Sequence, residues 1–127
     1  MSHSYKSLIV WQKAKALAVE TYRVTEKFPR AEQYGLTSQL RRAGVSVVSN
    51  IAEGQGRLTK GEFLQFLGNS RGSLLELETQ FAIALDLKFV SPADFERLQD
   101  QSAEVLRLTN ALMDSMRRLR GNASAAS

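Results

Sequence analysis

"LRRAGVSVVSNIAEG", residues 40–54, decides between two folds. Its centre, "VSVVSNI" (45–51), is rich in β-branched side chains and alone passes for a short strand. The apolar positions around it keep a different period. Leu40, Ala43, Val47 and Ile51 fall three and four residues apart, the spacing that lines one face of a helix. No second stretch offers a partner strand. The segment therefore predicts a helix from Leu36 to Glu53 and, with it, an all-α chain.

Upstream, residues 7–28 carry a longer helical pattern. On a wheel of about 100° per residue, Leu8, Trp11, Ala14, Ala18 and Tyr22 form one stripe, with Val10, Leu17, Val24 and Phe28 beside it. Lys13, Glu20, Arg23 and Lys27 fill the remainder. So wide an apolar arc exceeds a single core contact and suggests packing on both the helix's own bundle and a neighbouring subunit. A deeply buried helix accounts for it equally. Pro29 ends the pattern, because proline disfavours helical geometry in the residue before it.

Downstream, Gly54 is expected as a left-handed stop to the second helix. Thr59 and Glu62 then form T-x-x-E, a capping box that opens the third. Phe63, Phe66, Leu67, Ser70, Leu74, Leu77, Phe81 and Ala84 follow at helical spacing, while Gly68 and Gly72 share a face and would admit another backbone closely. Ser91 and Pro92 begin a fourth helix as N-cap and first-position proline. Phe95, Leu98, Ser102, Val105, Leu106, Thr109, Leu112, Met113, Met116 and Leu119 carry its stripe, over a rod on the order of 44 Å. Short connections near 29–35, 54–58 and 88–91 make neighbours antiparallel. The expected architecture is an up-down-up-down four-helix bundle over residues 1–120. The remaining "GNASAAS", 121–127, has no apolar payload and is expected to be a disordered tail.

A chain of 127 residues suits one core. No apolar run approaches the roughly 20 residues that span a bilayer, and no signal-peptide pattern opens the chain, so a cytoplasmic location away from membranes is expected. The absence of cysteine excludes disulfides and thiol chemistry. Charge is unevenly divided. Residues 1–60 hold ten Lys/Arg against four Asp/Glu, a net of +6; residues 61–127 hold seven against nine, a net of −2. A basic first half suggests an anionic partner such as RNA or DNA.

Catalytic chemistry has no visible constellation. The one histidine, His3, sits at the terminus, which disfavours a His-based triad. Bundle di-iron sites need Glu-x-x-His words on facing helices, and none occurs. Glu76 and Glu78, two apart on a helix, diverge rather than converge. Gly54-Gln55-Gly56 lacks the preceding strand and the G-K-[ST] ending of a phosphate loop. No catalytic residue, cofactor or metal is expected. A metal-dependent hydrolase or nuclease using Glu53, Glu76 or Glu78 is the least favoured alternative.

The basic residues are the candidate site. Arg41 and Arg42 lie on the second helix, where Arg42, Ser46, Ser49 and Glu53 fall on one line. Arg57 and Lys60 lie beside the start of the third helix, whose free N–H groups and dipole favour anions. Arg23, Lys27 and Arg30 form a secondary set on the first helix. A solvated surface with intramolecular pairs, such as Arg42 with Glu53 through the serines, is the bland alternative.

"EQYGLTSQLRRAGVSVVSNIAEGQGR" (32–57), "EFLQFLGNSRGSLLELETQ" (62–80) and "LIVWQKAKALAVETYRVTEKFP" (8–29) resemble the bacterial four-helix-bundle family of proteins encoded within intervening sequences of large-subunit ribosomal RNA. Val48 stands where that family often has proline, which implies a straighter second helix; Gly44 stands where alanine is commoner. The resemblance implies kinship with the accessory proteins of diversity-generating retroelements, homopentamers that bind nucleic acid and a reverse transcriptase through basic surfaces. The motif residues carried over are Tyr34, Gly35, Gln39, Arg41, Arg42, Asn50, Glu53, Gly54, Arg57, Arg71, Glu76 and Glu78. The expected function is a non-enzymatic homo-oligomeric bundle that binds nucleic acid. The alternative is a protein-interaction scaffold that does not.

Overall fold

The computed structural model describes the backbone of residues 5–126 and the side chains of residues 5–119; His3 and Ser127 lie outside the described residues. Four helices make up the fold: α1 Ile9–Thr25, α2 Leu36–Gln55, α3 Lys60–Asp86 and α4 Pro92–Ala126. Single 3-10 turns stand at Tyr5–Ser7 and Arg30–Glu32, and the described residues contain no strand. "VSVVSNI" is helical. Val47 and Ile51 point into the core while Val45 faces outward, as a four-residue spacing requires.

Each helix packs on two neighbours in a closed cycle, α1 on α2, α2 on α3, α3 on α4 and α4 on α1. Contacts run in opposite order along each pair. Thr25 and Ala18 of α1 meet Arg41 and Gly44 of α2, and Ser70 of α3 donates to the Val47 carbonyl of α2 at 2.8 Å. Leu17, Leu40, Ile51, Leu67, Leu74, Leu77, Leu98 and Val105 fill the centre. Fully burying such a side chain contributes about 1.5–3 kcal/mol. Thr21 and Thr25 are buried too, and their hydroxyls donate to the Leu17 and Thr21 carbonyls one turn back. Their polarity hid them from the apolar pattern of α1.

The starts of the later helices follow local chemistry. Thr59 Oγ1 accepts from the Glu62 N–H at 3.1 Å, and Ser91 Oγ accepts from the Asp94 N–H at 3.1 Å. Glu32 caps α2, accepting from the Leu36 N–H at 3.1 Å. A side chain at Gly35 would place its Cβ 2.9 Å from that Glu32 oxygen. The α1 pattern to residue 28 is cut at Thr25, three residues earlier. α4 continues to Ala126, so its backbone is helical within the stretch expected to form a tail.

The glycines act differently from expectation. Gly54 is no left-handed stop. It lies inside α2, buried, and α2 ends one residue later with Gly56 at a right-handed φ of −82°. The close approach expected at Gly68 and Gly72 is absent within the chain: a Cβ at Gly68 meets only Met113 Cε at 3.9 Å, and one at Gly72 meets nothing. Gly54 makes that approach instead, its added Cβ falling 2.8 Å from Phe63 Cδ1 and from Phe66 Cβ. The left-handed stop belongs to α3, where Lys88 has φ 64°.

Candidate nucleic-acid interface

The basic residues do not form one patch. Arg41 and Arg42 sit on α2 some 15 residues before Arg57, a separation on the order of 20 Å along the helix axis. Arg57 lies in the α2–α3 connection and Lys60 opens α3, while Arg30 sits in the α1–α2 connection at the opposite end of α2. In a lone chain Arg41 and Arg42 are thus separated from Arg57 and Lys60.

Several of these cations are already engaged. Arg41 Nε donates to Thr25 Oγ1 at 2.9 Å and its Nη2 to the Tyr22 carbonyl at 3.3 Å. Its guanidinium lies 4.6 Å over the Tyr22 ring and 3.6 Å from Glu26. This is a clamp between α1 and α2, with little left for a phosphate. Arg23 pairs with Glu20 at 3.6 Å and Lys27 with Asp94 at 3.5 Å. Arg97 bridges those two carboxylates, at 2.6 Å to Glu20 and 2.9 Å to Asp94, tying α1 to α4. Burial pushes the Asp94 carboxyl up, but the hydrogen bond from Arg97 and the charges of Lys27 and Arg97 outweigh it and hold Asp94 below the ordinary carboxylate value.

Arg57 lies 4.5 Å over the Phe66 ring and 3.9 Å from Glu53, and the Arg42–Glu53 pairing of the bland alternative is not formed. Ser46 instead shares a hydrogen bond with Ser73 at 2.8 Å and accepts from Asn50 at 3.0 Å. Arg42, Lys60 and Arg30 are exposed, and among the described residues none has an ion-pair partner. These three are the free cations of the candidate set. Among the described residues no group of three His, Cys, Asp or Glu side chains is placed to hold a metal, and no helix is long and apolar enough to cross a membrane.

A model of the 23S rRNA-intervening sequence protein family matches residues 6–111. The chain belongs to that family. A crystal structure from Bacteroides thetaiotaomicron VPI-5482, described as a protein with unknown function from the S23 ribosomal protein family, shares the fold. It superposes with a TM-score of 0.75 at 18% identity, covering 83% of this chain and 98% of that one. Comparison with curated proteins gives no match.

The motif residues that carry the family resemblance divide by role. Gly35 and Gly54 permit close contacts, as above. Arg71 donates to Asn110 Oδ1 at 3.0 Å, and Glu78 accepts from Ser102 at 2.6 Å, both joining α3 to α4. Glu76 turns the other way, accepting from Gln80, which also donates to Gln39 of α2. The two glutamates diverge as their spacing requires. The interhelical bonds of Ser46, Ser73 and Gln80 leave no trace in a pattern of apolar spacing, where polar residues at core positions read as gaps in a stripe. Tyr34 stands apart at 90% exposure, in the same connection as Arg30.

Proposed function

We propose that the chain is a non-enzymatic homo-oligomeric bundle that binds RNA or another nucleic acid in the cytoplasm. The observation that carries this reading is the set of exposed, unpaired cations, Arg42, Lys60 and Arg30, on a chain of formal net charge +4. The exposed Tyr34 ring near Arg30 in sequence adds a surface on which an unpaired base can stack. One chain presents these groups singly and far apart, which favours weak contacts. Assembly repeats them, and linked weak contacts gain by effective concentration. The apolar groove on the outer side of α1 and α2, lined by Ala18, Val19, Tyr22, Val45 and Val48, supports such assembly. Five copies is the number that the family resemblance implies.

The test is solution mass and RNA affinity across a salt series. Neutralising phosphates releases counterions, so affinity is expected to fall steeply with salt, and Arg42→Glu with Lys60→Glu is expected to weaken binding and flatten the slope. Absence of binding to structured RNA or DNA even at low salt would sink the reading. A second reading, a scaffold for protein contacts alone, is favoured by Arg41, Arg23 and Lys27 being held in intramolecular pairs. Under it, Arg42→Glu changes oligomer mass and leaves nucleic-acid affinity unmoved.

A further inference from the structure

Between α2 and α3 lies a polar groove of about 480 Å³, lined by Gln39, Arg42, Ala43, Ser46, Ser73 and Glu76. The register sets Arg42 across from Glu76. One turn further along α2, Ser46 meets Ser73; one turn before, Gln39 meets Gln80, which also holds Glu76. Opposite charges facing across a helix pair ordinarily close into an ion pair. Here neither Arg42 nor Glu76 has an ion-pair partner among the described residues. Gln80, only 6% exposed, donates from Nε2 to Glu76 Oε1 at 3.1 Å and to Gln39 Oε1 at 3.3 Å. Its own Oε1 is buried without a partner. One oxygen of Glu76 is thus anchored, and a carboxylate so held keeps acceptor sites for two more donors.

We propose that this groove binds a guanine base, an inference that rests on the nucleic-acid reading above. The groove offers a planar guanidinium fork on one wall and a carboxylate fork on the other, each able to make two parallel hydrogen bonds. A ligand that satisfies both must carry two adjacent acceptors and two adjacent donors. Guanine does, with O6 and N7 for Arg42 and with N1–H and N2–H for Glu76. Adenine flanks its amino group with acceptors, cytosine offers a single donor group, and uracil places its one N–H between carbonyls. The Ser46 and Ser73 hydroxyls lie alongside for the sugar or phosphate. Because base edges of single-stranded RNA are open to such contacts, the groove selects unpaired guanine rather than duplex.

The test is calorimetric titration of the full chain with GMP, IMP, AMP, CMP and UMP at one salt concentration, beside a structured RNA. GMP is expected to bind at least tenfold tighter than AMP, CMP or UMP, and IMP, which lacks the N2 amino group, severalfold more weakly than GMP. Glu76→Gln is expected to erase the preference, and Arg42→Gln to weaken GMP at least tenfold. Both positions are exposed, and an unchanged melting curve shows that each variant folds. Nucleotides that bind within twofold of one another, or GMP that does not bind, overturn the inference. RNA that still binds then leaves the nucleic-acid reading standing. GMP selectivity without RNA binding upholds the groove and sinks that reading. Variants that shift oligomer mass while nucleotide binding stays unchanged make the groove a subunit contact, which also overturns the inference.

Discussion

At Gly54 a hydrogen atom stands where any side chain would meet Phe63 and Phe66, with a Cβ 2.8 Å from each. The Phe63 ring can swing, but the Phe66 Cβ is fixed to the α3 backbone, so α2 and α3 would have to separate. Gly54→Ala gains about 1 kcal/mol of helix propensity and loses more to overpacking, which typically costs about 1–3 kcal/mol. The melting temperature is expected to fall by several degrees, whereas Gly72→Ala, with open space around it, is expected to raise it. Equal rises in both would refute the packing account. Lys88 is the opposite case. It holds φ 64°, while Phe89 N bonds the Ala84 carbonyl at 2.9 Å and Lys88 N bonds that of Leu85 at 3.0 Å. That pattern is a Schellman stop, whose left-handed position suits glycine. Lys88→Gly is expected to stabilise the fold by about 0.5–1 kcal/mol in chemical denaturation; a loss would show that the Lys88 side chain contributes elsewhere. The sequence misplaced the stop for a physical reason. A glycine ending an apolar pattern looks the same whether its backbone turns left or its missing side chain admits another helix, and only the α3 aromatics distinguish the two.

The helix starts could be read from sequence because their chemistry is local. Thr59 with Glu62, and Ser91 with Pro92 and Asp94, act within three residues. The fate of the arginines could not. Arg41 finds Thr25 sixteen residues away, and Arg97 finds Glu20 across 77, so neither partner shows in a local pattern. The α1–α4 seam that results has a pH signature. Asp94 is 16% exposed and held below the ordinary carboxylate value despite its burial. A carboxylate with a depressed folded pKa contributes stability that is present above its unfolded pKa and is lost as pH falls through the folded one. The contribution is therefore full above the unfolded carboxylate value of about 4 and is lost as pH falls through the lower folded one. Asp94 also lies in the first turn of α4, where a negative charge meets the helix dipole. Asp94→Asn is expected to destabilise the chain by about 0.5–1 kcal/mol at pH 7. The gap between the two proteins in thermal unfolding should narrow as the solution is acidified below about pH 4. A gap that stays constant with pH would place the effect of Asp94 in shape rather than charge.

A molecule that completes its core with one side of α1 leaves another side to explain. The broad apolar arc read from the sequence is mostly consumed by the core, with Val10, Ala14, Leu17, Val24 and Phe28 buried, but Tyr22 remains exposed, and Val19, outside that arc, and Val45 of α2 join it. With Ala18 and Val48 these line an apolar groove along the α1–α2 seam, and contiguous exposed apolar surface on a helix pair commonly marks an association face. If copies of the chain meet there, a stable contact needs about 800 Å² from each partner, and a cation introduced beside Lys15, which also lines the groove, has no carboxylate there to neutralise it. Val45→Lys with Val19→Lys is expected to reduce the mass in light scattering to that of one chain. The melting of that single chain should change little, because both positions are already exposed. Ile83→Lys, on an exposed apolar position of α3 away from the seam, should leave the mass unchanged. The same double variant separates avidity from contact. It leaves Arg30, Arg42 and Lys60 in place and adds positive charge, so a drop in RNA affinity by a factor on the order of 10² or more reports lost multivalency. A wild-type chain that is monomeric at every concentration would remove both expectations together, and unchanged RNA affinity in a monomeric double variant would assign binding to the single chain.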